Sequence, residues 1–358
     1  MSQAVILAGG EGTRLRPLTY TRPKPVVPLL NQPFLAYQLT WLREHGVTDV
    51  VLACSYRVDD VRAALGDGGA LGTRLRYVIE TEPLGTGGGV RNAADLAHGT
   101  VFVLNGDVLA DVDLSAMRRF HVDRGARATI YVTPVEDPRA YGLVETASDG
   151  RVTAFREKPQ AHEPITTNRI NAGVYLLDAQ LLARIPVGRP VSIEREFFPA
   201  LITDGIPLYA WDASGYWRDI GSPAAYLAAQ FDLLDGRVRT ALSPAGATRD
   251  GSWIATNATV NPRATVTAPV VIGAGVTIAA GSRIGPHAVL GDGVRVHSGA
   301  RIERSVLWEH NEIGVDAALD GCVIGAGGRI GEGVALGAGT VLESGAVVPA
   351  HAKLPTRS

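Results

Sequence analysis

The sequence predicts an α/β domain on a mostly parallel sheet, followed by a β-solenoid. Two observations lead there. Up to about residue 235, short continuous apolar runs alternate with longer amphipathic stretches, the pattern of a parallel sheet wrapped by helices. Beyond residue 252, apolar residues recur every six positions. No α-helix keeps one face at that period, because six residues turn it through about 600°. A short strand and turn repeated every six residues does keep it, stacking one apolar residue per facet.

The elements follow in order. "AVILAGG" (4–10) reads as a buried strand and a turn, and "PFLAYQLTWLREHG" (33–46) as a helix. "DVVLACSY", "VDDVRAALGDG", "LRYVIE", "VRNAADLAHG" and "VFVLNGD" continue the alternation to Asp107. Ligands of such sheets bind beyond the carboxyl ends of the strands. The turn after Leu7 and "NGD" at 105–107 are therefore expected to face one crevice. In the second half Ile254, Val260, Val266, Ile272, Ile278, Ile284, Leu290, Val296 and Ile302 keep the period of six. After one slip it resumes at Leu307, Ile313 and Leu319, and after another at Ile324, Ile330, Leu336 and Leu342. The expected organisation is a catalytic domain at 1–235, a linker at 236–252 and a β-helix at 253–358.

Composition narrows the function. The 358 residues are 46% hydrophobic, enough for two or three cored domains. Thirty-four basic against 36 acidic residues leave a net charge of −2, without the basic excess of a nucleic-acid-binding protein. Cys54 and Cys322 lack metal-ligand spacing and read as packed thiols in a reducing, cytoplasmic setting. No apolar run approaches the ~20 residues of a membrane span, and the opening residues do not form a signal sequence. No membrane partner is expected.

"LAGGEGTRLRPLTYTRPKPVVPLL" (7–30) concentrates Gly9, Gly10, Gly12, Thr13, Arg14 and Lys24 behind the first strand. It lacks the Gly-Lys-Ser/Thr ending of a P-loop and the G-x-G-x-x-G of a dinucleotide fold. It does offer backbone N–H groups to a phosphate, an arginine able to grip one bidentately, and Lys24 aimed by Pro23 and Pro25. Asp107, at a strand end, and Asp219, in "GYWRDIGSP", are carboxylates suited to Mg²⁺ beside substrate phosphates. "FREKP" adds Glu157 and Lys158, and "INAGVYLLD" adds Asn171.

Together "GGEGTRLRPLTYTRPKP", "EPLGTGGG", "LNGD", "YGLVE", "EKP", "INAGVYLLD", "SIEREFFPAL" and "YWRDIGSP" resemble the sugar-1-phosphate nucleotidyltransferase family. Within it, they most resemble the bacterial mannose-1-phosphate guanylyltransferases, the GDP-mannose pyrophosphorylases. The resemblance implies a Rossmann-like nucleotidyltransferase domain followed by a left-handed β-helix of hexapeptide repeats. It gives Arg14 the leaving pyrophosphate, Lys24 the nucleotide phosphates and Lys158 the sugar phosphate, with Mg²⁺ on Asp107 and Asp219. Leu7, Gly9, Gly10, Gly12, Thr13, Glu80 and Gly85 would line the nucleotide, and Gly142, Glu157, Asn171 and Gly173 the sugar. The implied partners are a nucleoside triphosphate, a sugar-1-phosphate and further copies of the chain through the β-helix.

The chemistry suits those residue types. A sugar-1-phosphate oxygen attacks the α-phosphorus in line and expels pyrophosphate. The nucleophile is already an anion, so positioning and positive charge carry catalysis and no general base is needed. Glu80 is the candidate for base choice, since a carboxylate can accept from guanine N1–H and N2–H together. The sugar stays open at this stage: mannose, glucose, heptose and cyclitol phosphates all fit. Two other classes stand beside this one. A non-catalytic regulatory or scaffold paralogue would lose the charges that Arg14, Lys24, Asp107, Lys158 and Asp219 retain. Acyl transfer by the solenoid would need one of His287, His297 or His310 as a base.

Overall fold

The computed structural model describes residues 2–249 and 251–352, so the end of the expected 253–358 region lies outside the described residues. In chain order come β1 (Ser2–Leu7), β2 (Pro28–Leu29), β3 (Gln32–Pro33), α1 (Phe34–Glu44), β4 (Val47–Cys54) and α2 (Val58–Leu65). Then follow β5 (Arg74–Ile79), α3 (Gly85–Asn92), β6 (Thr100–Asn105), β7 (Val108–Ala110) and α4 (Leu114–Asp123). Next are β8 (Ala128–Pro134), β9 (Gly142–Thr146), β10 (Val152–Glu157), β11 (Arg169–Asp178), α5 (Phe198–Thr203) and β12 (Leu208–Asp212). β13 (Trp217–Asp219) and α6 (Pro223–Leu234) precede the repeats.

The chain divides into two compact units. The first comprises residues 1–10 and 35–217, the second residues 11–34 and 218–358. The opening loop thus belongs to the unit that contains the repeats, although its flanking strand and helix belong to the other.

The first unit is built on a nine-stranded sheet whose main path runs β10-β9-β11-β6-β1-β4-β5. β6, β1, β4 and β5 are parallel. Antiparallel β11 extends them and also pairs with β8 and β9. Ala4, Val5 and Ile6 are fully buried because helices cover both faces of a central parallel strand. Leu7 is in register with Asn105 on β6 and Ala53 on β4, so three turns leave the sheet side by side. Asp113 caps α4 by accepting from Ala116 N–H at 3.0 Å, satisfying an otherwise orphaned donor.

In the second unit the repeats form a three-faced parallel β-helix. Ile254, Ile272, Leu290, Leu307, Ile324 and Leu342 stack along one face. Val260, Ile278, Val296, Ile313, Ile330 and Val348 stack along a second. Val266, Ile284, Ile302, Leu319 and Leu336 form the third. These side chains and small alanines and valines between them make one continuous core. The slips in the sequence are coils one residue shorter: Val271 pairs with Val289, 18 residues on, but Val289 with Val306, 17 on.

Corners of the coils repeat a left-handed backbone. Gly275, Gly293, His310, Gly327 and Gly345 occupy one column of positive φ, and His287, Arg304, Gly321 and Gly339 another. Glycine takes that conformation without penalty, which explains its abundance here. His287 and His310 are therefore corner residues of the coils. His287 Nε2 lies 2.6 Å from Asp235 and His297 Nε2 3.0 Å from Glu312. Cys54 and Cys322 are buried, and burial pushes their thiols up to about 12 and about 11, away from the reactive thiolate.

Candidate active site

Within the first unit, the turns after β1 and β6 are locked together. Gly106 N–H donates to the Leu7 carbonyl at 2.9 Å, and a β-carbon at Gly106 would lie 2.5 Å from that oxygen. Gln38 Nε2 fixes the same turn by donating to the Asn105 and Val108 carbonyls at 2.9 and 2.7 Å. Asp107 follows Gly106 in this turn, between β6 and β7. Ser55 donates its hydroxyl to the Gly9 carbonyl, and a β-carbon at Gly9 would meet Ser55 Oγ at 2.7 Å.

The strand β11 bulges where the sugar pocket was expected. Between Asn171 and Tyr175, four residues on β11 span only two on β8, Val132 to Ile130. Gly173, at φ +72°, sits in the bulge against the Asn105 side chain. Asn171 accepts from Gly173 N–H at 3.1 Å and donates to the Tyr175 hydroxyl at 2.8 Å, so its amide is pre-oriented. Gly142 pairs with Glu157 across β9 and β10, and its missing side chain leaves room for the Glu157 carboxylate, 2.7 Å from a built β-carbon. Burial raises the Glu157 pKa against the opposing pull of Lys158, whose Nζ is 3.4 Å away and largely exposed. Lys158 itself takes a left-handed backbone, φ +50°, and donates its N–H to the Tyr141 carbonyl.

Glu80 does not point into solvent. It is buried, accepts from Leu84 N–H at 3.3 Å, and lies 2.7 Å from a β-carbon built on Gly89. Burial raises its pKa. The glycines that follow form the helix α3 rather than a loop, a difference with a packing cause. A β-carbon at Gly85 would fall 2.6 Å from the Val191 carbonyl, and Gly87 N–H donates to that oxygen at 2.8 Å. The helix is thus pressed onto the backbone of Val191, just before "SIEREFF". Thr86 donates to Glu194 at 2.7 Å and accepts from Ile193 N–H at 2.9 Å. Thr86 and Glu194 were missed as positioning residues; "SIEREFF" was the available signal, but nothing in it named a partner.

Within the second unit, Arg14, Lys24 and Asp219 come together. Arg14 Nη1 lies 3.4 Å and Lys24 Nζ 3.9 Å from the two Asp219 oxygens. Their exposures differ: the Arg14 side chain is 67% exposed, Lys24 10% and Asp219 16%. The Lys24 side chain is therefore packed into the protein, whereas most of the Arg14 side chain faces solvent. Gly12, at φ +65°, turns the chain beneath Lys24, and its carbonyl accepts from Thr19 Oγ1 at 2.8 Å. Thr13 begins the short 3₁₀ turn that carries Arg14. This arrangement presents two cations on one carboxylate beside a glycine turn, a layout able to exchange that carboxylate for polyphosphate.

A mostly parallel α/β sheet and a hexapeptide β-helix define the fold class. The chain matches the family model described as nucleotidyl transferase over residues 3–236, and it belongs to that family. Residues 266–354 match a second model, the GMPPB C-terminal domain. The mannose-1-phosphate guanylyltransferase of Mycobacterium tuberculosis (strain ATCC 25618 / H37Rv) is 45% identical over 235 residues. That match covers 65% of this chain and 65% of the relative, just under two thirds of its length. The mannose-1-phosphate guanylyltransferase catalytic subunit beta of Drosophila pseudoobscura pseudoobscura is 41% identical over 269 residues, 74% of this chain and 70% of that one. Among solved structures, HddC from Yersinia pseudotuberculosis is similar at 30% identity and a TM-score of 0.57, covering 65% of this chain and 100% of that one. HddC complexed with GMP-PN is similar at a TM-score of 0.55. Among the described residues, no helix is long and apolar enough to cross a membrane.

Proposed function

We propose that the protein transfers a guanylyl group from GTP to mannose-1-phosphate, releasing pyrophosphate and GDP-mannose. The observation that carries this is the Arg14–Asp219–Lys24 cluster, two cations of the glycine-rich loop on the carboxylate that ends β13. The sugar-phosphate oxygen forms the new bond to the α-phosphorus as the bond to the bridging oxygen breaks, and pyrophosphate leaves with that electron pair. Lys24 neutralises charge at the nucleotide phosphates, Arg14 follows the departing pyrophosphate, and Lys158 holds the sugar phosphate. Glu157, Asn171, Gly142 and Gly173 orient the sugar. Leu7, Gly9, Gly10, Gly12, Thr13 and Gly85 give the nucleotide close backbone approach.

Guanine is favoured by the names of the curated relatives and by the guanine-nucleotide analogue bound to HddC. A buried carboxylate at Glu80, acceptor-only, supports the same choice. Mg²⁺ fits the donor set. No three His, Cys, Asp or Glu side chains cluster among the described residues, so the chain offers single carboxylates and substrate phosphates would complete the shell. Asp107 and Asp219 would hold it, and it would supply charge neutralisation on the phosphates.

The same reading places the protein in the cytoplasm, with a catalytic region at 1–235, a linker at 236–252 and a β-helix through which copies associate. The last described coil supports association: among the described residues Ala335–Leu336, Val341–Leu342 and Val347–Val348 pair with the preceding coil alone, and Val347 is largely exposed. The test of the activity is a matrix of nucleoside triphosphates against sugar-1-phosphates, read by pyrophosphate release. Sedimentation of the purified chain tests the assembly, and a monomer at all concentrations would remove it.

A further inference from the structure

The three faces of the β-helix differ outside as well as inside. On two faces the outward positions are polar and exposed, as at Thr265, Arg283 and Arg301, or Thr277, Arg295 and Arg329. On the third they are Val271, Val289, Val306 and Val323, all essentially buried and none belonging to the interior stack. That face is built to be covered. Along its rim the contacts come from two segments of the same unit: α6 and the loop that carries Lys24.

Trp308 is the centre of this contact. It is fully buried, and its Nε1–H donates to the Tyr226 hydroxyl of α6 at 3.0 Å. The Tyr226 hydroxyl in turn donates to the Pro28 carbonyl. Gln230, also on α6, donates to that carbonyl at 2.8 Å and accepts from Leu30 N–H at 2.8 Å. On the other side of Lys24, the Arg22 guanidinium lies 4.7 Å from the Trp308 ring centre and pairs with both Glu309 oxygens. Thr21 meets Ser344 at 2.8 Å, and Asn31 donates to the Leu290 carbonyl at 2.8 Å. Lys24 is therefore bracketed by two anchors, at Arg22 and at Pro28, with Pro23 and Pro25 stiffening the span between them.

We infer that the β-helix positions the phosphate-binding lysine: Trp308, Tyr226 and the Arg22–Glu309 pair are positioning residues for Lys24. The inference rests on the guanylyltransferase reading for its kinetic consequence. Its structural consequence, ordering of residues 21–30 by the solenoid, stands without that reading. The Lys24 ammonium must meet phosphate charge within a fraction of an ångström, and a loop tied at both ends to a rigid stack achieves this without ordering cost at each turnover.

The test compares the wild-type chain with Tyr226→Phe, Glu309→Gln and the double variant. Ile330→Val, inside the solenoid and away from the loop, serves as the control for general destabilisation. Tm, kcat, KM for GTP and for mannose-1-phosphate, and amide hydrogen exchange over residues 21–30 are measured for each. The double variant should lose about ten- to hundred-fold in kcat with KM for mannose-1-phosphate little changed. Exchange should rise over 21–30 and not in the sheet of the first unit, while Ile330→Val retains kcat. A double variant with the kcat of Ile330→Val, or with unchanged exchange over 21–30, overturns the inference. Should the double variant not fold, Tyr226→Phe alone, which keeps the ring and loses one hydroxyl, decides by the same criteria. A wild-type chain that releases no pyrophosphate would reject the guanylyltransferase reading, and the exchange comparison would still decide the anchoring.

Discussion

A β-carbon added at Gly221 would fall 2.7 Å from the Arg14 guanidinium, where that group lies against Asp219. The Asp219 oxygen would be 2.8 Å away. Gly221 has no positive φ, so its role is space rather than backbone freedom. Gly221→Ala should displace the exposed end of Arg14 and leave the fold intact. The expected result is a Tm near the wild-type value with kcat/KM for GTP lower by about ten-fold. A wild-type kcat/KM would show that the Arg14–Asp219 contact does not matter to the nucleotide.

Asp219 and Asp107 differ in their surroundings, and so do the expected variants. Asp219→Asn removes a carboxylate shared by two cations as well as a proposed metal ligand, whereas Asp107→Asn alters one strand-end carboxylate. Both should lower kcat by orders of magnitude. Asp219→Asn should also lower Tm, since it takes the carboxylate away from the largely buried Lys24 ammonium. Pyrophosphate release titrated against Mg²⁺ checks this, and near-normal turnover in both variants would remove the metal assignment.

Glu80→Gln separates recognition from stability. A neutral amide presents a donor where guanine already has one, costing roughly 1–3 kcal/mol, or about a five- to hundred-fold loss in kcat/KM for GTP. Stability should move the other way. Burial raises the Glu80 pKa from the ordinary carboxylate value, so burial favours the neutral acid. That contribution is complete below the unfolded value and is lost as pH rises through the raised one. At pH 7 the charged form costs stability, and Glu80→Gln should match or exceed the wild-type Tm. The gap should close near pH 4. A lower Tm at pH 7 would show that the hydrogen bond from Leu84 outweighs burial.

Truncation after residue 236 should remove activity rather than yield an active fragment. The loop at 11–34 would lose Leu290, Trp308, Glu309 and Ser344 as partners. Assay of a purified 1–236 chain decides this, and wild-type turnover in it would contradict the anchoring of the loop.

Much of this was legible in the sequence. The period of six specified the β-helix because one apolar side chain per facet is all that such a stack needs. Even its two slips correspond to real coils, shortened by one residue. The turns after β1 and β6 were legible because parallel strands expose their ligands at one end. Three features were not. The "GTGGG" stretch reads as loop by composition, yet it is helical, and its missing side chains let α3 press onto Val191, far away in sequence. Glu80 ends a strand in the sequence, and only the packing of α3 reveals that it is buried. The outward valines of the β-helix lie outside the period of six, and only the fold gathers them on one face. Their meaning, that the catalytic loop returns to this stack, depends on tertiary contacts such as Tyr226 with Trp308.

The central claim is that Glu80 and the Arg14–Asp219–Lys24 cluster serve guanylyl transfer to mannose-1-phosphate. The most direct measurement is kcat/KM for GTP, ATP, UTP, CTP and dTTP at saturating mannose-1-phosphate and Mg²⁺, with pyrophosphate and nucleotide-sugar quantified together. The account predicts that GTP leads by at least about ten-fold, with one GDP-mannose formed per pyrophosphate released. A lead by dTTP, UTP or ATP would contradict the guanine assignment, and no pyrophosphate from any triphosphate would contradict the transferase itself.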